Sequence, residues 1–74
     1  MVEFYVKTND PKSHIQACSI INYFKCEIIT DRICDKDEPF YGIFYVRALE
    51  EAFEIFTEFS SDITVEYPPG KTLR

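Results

Sequence analysis

The sequence predicts an α+β domain of order β-α-β-β-α-β, with one four-stranded antiparallel sheet and both helices on a single face. Three observations carry that prediction. Val46 to Ser60 has helical periodicity, Asp10-Pro11 opens a second helical stretch, and the segments around them alternate apolar and polar residues as half-buried strands do.

Val2, Phe4 and Val6 alternate with Glu3, Tyr5 and Lys7 in the first strand. Asp10 is a favoured N-cap, and Pro11 is a favoured first helical residue because the N–H it lacks has no partner there. A helix is expected from Pro11 to about Phe24, with His14, Ala17, Cys18, Ile20, Ile21 and Phe24 on its apolar side. Cys26 to Asp31 reads as a second strand that can extend through Cys34, with Cys26, Ile28 and Thr30 opposite Glu27, Ile29 and Asp31. The charged run Asp35 to Pro39 is a solvated connection, and the aromatic and β-branched run Phe40 to Val46 is the third strand. Within it, Gly42 marks a bulge or a close backbone approach.

At 100° per residue, Ala48, Leu49, Ala52, Phe53, Ile55, Phe56 and Phe59 fall in an arc of about 160°, and Glu50, Glu51, Glu54, Thr57 and Glu58 fill the rest. Each large apolar side chain in that stripe is worth ~1.5–3 kcal/mol when buried, so the stripe is expected to be core. Ile63, Val65 and Tyr67 against Thr64 and Glu66 make a fourth strand, closed by Pro68-Pro69-Gly70. A single domain over 1–70 with a frayed tail over 71–74 follows.

Right-handed crossovers put the first and third strands in the middle of the sheet, because each β-α-β unit skips a position that the other fills. The expected result is a ferredoxin-like sandwich. Its uncovered face would carry Tyr5 with either Tyr41, Ile43 and Tyr45 or Phe40 and Phe44, flanked by Ile29 and Glu27.

Composition narrows the function classes. The 74 residues are 46% hydrophobic and 16% aromatic, so the chain folds. Thirteen acidic against eight basic residues give a net charge of −5, which argues against a nucleic-acid partner. The odd cysteine number, the missing C-x-x-C spacing and the lack of an apolar segment after Met1 fit a reducing cytoplasm, and no run is long enough to span a membrane.

His14 is the lone histidine and reads as a packed or rim residue. Cys18, Cys26 and Cys34 lack the close pairs of a zinc knuckle, so neither metal nor cofactor is expected; Cys34 is the candidate exposed thiol. The carboxylates of Asp35, Asp37, Glu38, Glu50 and Glu51 fall in a loop and on a solvated helix side, so no catalytic pair is assigned.

The pieces V-K-T-N-D-P-K-S-H-I-Q, I-I-T-D and V-R-A-L-E-E-A-F-E-I-F resemble a family of short bacterial proteins known as prokaryotic signal-transducing proteins. That resemblance implies a ferredoxin-like fold related to the nitrogen-regulatory PII class, in a family whose biochemical roles are mostly undefined. This chain departs from it at Phe24-Lys25-Cys26, where a Gly-Ile turn is usual. Phe4-Tyr5-Val6-Lys7 and Phe40-Tyr41-Gly42-Ile43-Phe44 are similar to the paired motifs of RNA-recognition domains, a likeness that would make Tyr5 and Tyr41 base-stacking rings. Ile43 stands at the third stacking position and the leading basic residue is absent.

The function expected is a small non-enzymatic interaction or regulatory module. It would act by contact with a protein partner or as a homodimer, through Tyr5, Ile29, Tyr41, Ile43 and Tyr45. The alternatives are an acidic inhibitor of the kind phages encode, which fills a basic nucleic-acid cleft through Glu50, Glu54 and Glu58, and an RNA-binding domain.

Overall fold

The computed structural model describes residues 1–69; the tail expected over 71–74 lies outside them. Its elements are β1 (Val2–Thr8), α1 (Pro11–Phe24), β2 (Glu27–Ile33), β3 (Gly42–Ala48), α2 (Glu50–Phe59) and β4 (Ile63–Glu66). All neighbouring strands are antiparallel in the order β2-β3-β1-β4, the ferredoxin-like arrangement with β1 and β3 central.

The start of α1 is fixed by its own side chains. Asp10 Oδ1 accepts from the Ser13 backbone N–H at 2.8 Å, and Ser13 Oγ accepts from the Asp10 N–H at 3.2 Å, so two otherwise unpaired donors are satisfied reciprocally. Its end is marked by Lys25 at φ 55°, a left-handed conformation that ordinarily favours glycine. Here the backbone N–H of Lys25 reaches the Asn22 and Ile21 carbonyls.

The helix α2 begins at Glu50, later than its apolar periodicity implies. Val46, Arg47 and Ala48 belong to β3, because Val2 of β1 pairs with Ala48 and the central strands match along their whole length. Leu49 caps the helix without a side-chain hydrogen bond, and Glu50 and Glu51 in the first turn complement its positive end.

Phe4, Val6, Phe44 and Val46 of the sheet meet Ala17, Ile20 and Ile21 of α1 and Ala52 and Phe56 of α2 in one core. Phe4 lies edge-on to Phe53 at 5.0 Å and to Phe56 at 6.0 Å, and Phe53 stacks on Tyr67 at 4.7 Å. The Phe stripe of α2 is therefore core only in part, since Phe59 is 49% exposed and Ile55 38%.

Both helices make their main contacts with β1, β3 and β4, which leaves β2 exposed throughout. The expected alternation of β2 is broken: Ile28 pairs with Val46 and Thr30 with Tyr45, so Ile29 is an extra residue in a bulge. Beyond it the faces exchange, and Asp31 pairs with Phe44 while Thr30 and Arg32 share the side of Glu27. The loop after β2 is tied by Arg32, whose Nη1 and Nη2 donate to Glu38 at 2.9 and 2.8 Å. That guanidinium, helped by the Asp35 amide, holds the Glu38 carboxyl down at about 2.

Candidate functional site

The face without helices is built by alternation along the two central strands. Glu3, Tyr5 and Lys7 project from β1, and their register partners Arg47, Tyr45 and Ile43 project from β3. The Tyr5 and Tyr45 rings meet at 4.6 Å with a 36° tilt, a direct cross-strand pair. Polar contacts surround them. The Tyr45 hydroxyl donates to Glu3 Oε1 at 2.9 Å, and Arg47 bridges Glu3 at 3.0 Å and Glu27 at 3.4 Å. Lys7 Nζ donates to Glu66 at 2.9 Å and stands over the rings of Tyr5 at 5.9 Å and Phe40 at 5.3 Å. Burial first, and then the Glu3 carboxylate, pushes the Tyr45 phenol above its ordinary value of 10.0. A shallow depression of about 500 Å³ runs beside the pair, lined by Tyr5, Lys7, Thr30, Arg32 and Ile43.

Of the residues expected on this face, Tyr5, Ile43 and Tyr45 come together in its middle. Ile29 sits apart, in the bulge of the edge strand. Tyr41 precedes β3 and its ring lies edge-on to His14 of α1 at 5.4 Å, because its N–H is held by the Thr8 carbonyl at 2.7 Å. Phe44, the other option for this face, is buried in the core.

His14 belongs to a packed cluster. Its ring stacks on Phe44 at 4.6 Å, and its Nδ1 lies 3.0 Å from the hydroxyl of fully buried Thr8, which donates to the Gly42 carbonyl at 3.2 Å. The Thr8 hydroxyl thus lies between the His14 ring nitrogen and the Gly42 carbonyl and ties the imidazole to the central strands. Gly42 is a close backbone approach: a Cβ there would lie 2.5 Å from His14 Cε1. Desolvation lowers the His14 pKa below 6.5 and outweighs the opposing pull of Asp31. The unfolded chain therefore binds the proton more readily, so this stabilising contribution is complete above pH 6.5 and is lost as pH falls through the native value. An NMR titration of the lone histidine is expected to give a midpoint below 6.5; a higher midpoint would mean that Asp31 prevails over burial.

The three cysteines are free and half-buried. Burial raises the pKa of Cys18, Cys26 and Cys34, with the Glu38 carboxylate adding to the effect at Cys34, so none is an activated thiolate. No group of three or more His, Cys, Asp or Glu among the described residues is placed to hold a metal ion, and no helix among them is long and apolar enough to cross a membrane.

A second concave surface, absent from the reading of the residues, lies between the helices. It measures about 470 Å³ and is lined by Ile20, Tyr23 and Phe24 of α1 and Ile55 and Phe59 of α2. The signal for it was the width of the α2 stripe, because an arc of about 160° is broader than the sheet alone can cover. No protein-family model, curated protein or solved structure matches this chain.

Proposed function

We propose that the chain is a small non-enzymatic module that works by protein contact through the open sheet face. The observation that carries this reading is the Tyr5–Tyr45 ring pair, set beside Ile43 within a border of charged groups. An aromatic centre with a polar rim is the composition of protein interfaces, where a few Tyr or Arg side chains supply most of the binding free energy. A polyphosphate partner is the weaker reading, because Lys7, Arg32 and Arg47 on or beside this face each already hold a carboxylate. RNA stacking of the expected kind also calls for the Tyr41 ring, which lies against His14.

The experiment is sedimentation velocity, together with quantitative capture of cellular partners, on the wild type and a Tyr5→Glu/Tyr45→Glu double variant whose fold is checked by circular dichroism. The expected result is loss of the dimer or of the partner with the fold intact. Identical monomers that keep every partner would overturn the reading. One further observation favours the acidic-inhibitor alternative: Glu50, Glu51, Glu54 and Glu58 are exposed on α2 and form no ion pair among the described residues. That alternative requires a salt-sensitive complex with a nuclease that is lost when Glu50, Glu54 and Glu58 are reversed.

A further inference from the structure

The large apolar side chains that the fold leaves in water lie largely off the open sheet face. Tyr23 is 80% exposed and Phe59 49%, and with Ile55 they wall the trough between α1 and α2, whose floor includes Ile20 and Phe24. The two walls differ in charge. On the α1 side the polar lining groups are Gln16 and Ser19, both neutral, with the exposed Lys12 one turn before Gln16 as the single Lys or Arg of that helix. On α2, Glu51 and Glu58 are four residues before and three after Ile55, which makes them its neighbours on the helix surface, and both are exposed.

We propose that this trough docks an amphipathic helix from another protein, with an apolar stripe at i, i+3, i+4 and i+7 and Lys or Arg beside it. The shape fits that occupant, since the lining runs from Gln16 to Phe24 on α1, roughly 12 Å at 1.5 Å per residue, against a shorter wall from Ile55 to Phe59 on α2; that is about two helical turns, the span of an i to i+7 stripe. Charge selects it. A second copy of this chain would bring the same glutamates against each other and add its own net charge of −5, whereas a basic helix neutralises them as its apolar side fills the trough.

The test uses a fluorescently labelled 14-residue Leu/Lys amphipathic peptide and its Leu/Glu counterpart, titrated with the full chain and followed by anisotropy. The Leu/Lys peptide is expected to bind saturably at one per chain, with at least tenfold preference over Leu/Glu and with affinity that falls as salt rises. Phe59→Ser and, separately, Tyr23→Ser should each weaken it about tenfold; both side chains are substantially exposed, so the fold survives. Glu51→Lys/Glu58→Lys should remove the preference for Leu/Lys. Asp35→Lys/Asp37→Lys in the distant β2–β3 loop should not, and Tyr5→Glu/Tyr45→Glu should leave the affinity unchanged, which separates this surface from the open sheet face. Equal binding by wild type and both serine variants would overturn the proposal, as would a loop reversal as damaging as the α2 reversal.

Discussion

Phe4→Ala is expected to cost about 3–5 kcal/mol, the range for emptying a buried Phe site that cannot collapse. Phe4 has no exposure, sits on a central strand and meets the rings of Phe53 and Phe56, so sheet and α2 both lose contacts when it is truncated. A domain of this length has a total stability of roughly 4–11 kcal/mol, so much of the variant population should be unfolded at 37 °C. Urea denaturation followed by circular dichroism checks this. Tyr5→Ala, one residue along, removes a ring from the opposite face and should cost less than half as much. Equal losses at the two neighbours would contradict the assignment of faces.

Gly42→Ala is expected to destabilise the fold by about 1–3 kcal/mol, because the added carbon would lie 2.5 Å from Cε1 and 2.6 Å from Nδ1 of His14. The ring has little freedom to retreat. It is stacked on Phe44 and bonded to Thr8, so its displacement also leaves a buried hydroxyl with one partner fewer. The double variant Gly42→Ala/His14→Ala should recover part of the loss, since the space the methyl needs is then empty. A thermodynamic cycle over the four proteins measures that coupling, expected between about 0.5 and 3 kcal/mol. Additive losses would show that the glycine serves something other than the approach of the imidazole.

The parts of this architecture legible in the residues are those set by local chemistry. Asp10, Pro11 and the alternation of Val2 to Thr8 are sufficient for the first β-α unit, and the same is true of Ile63 to Glu66. Distant pairing decided the rest. Val46 and Ala48 suit a strand and a helix equally well as apolar residues, and what assigns them is the partner strand reaching back to Val2. The adjacent Ile28 and Ile29 conceal the bulge, because an extra apolar residue beside another leaves no irregularity in the pattern. Tyr41 continued the alternation of β3 on paper, yet a hydrogen bond to Thr8 and the ring of His14 hold it elsewhere. At the candidate face, Tyr5, Ile43 and Tyr45 followed from strand order and period. Their carboxylate and guanidinium neighbours did not, since Glu3, Glu27 and Arg47 come from three strands whose register only the folded chain defines.

One margin of the sheet is kinked by an added residue and turns Asp31 toward the helix side, and the other is four residues long and runs into consecutive prolines. Growth by recruiting strands from neighbouring molecules is thereby discouraged at both flanks. A route to cross-β fibres through either edge is correspondingly disfavoured.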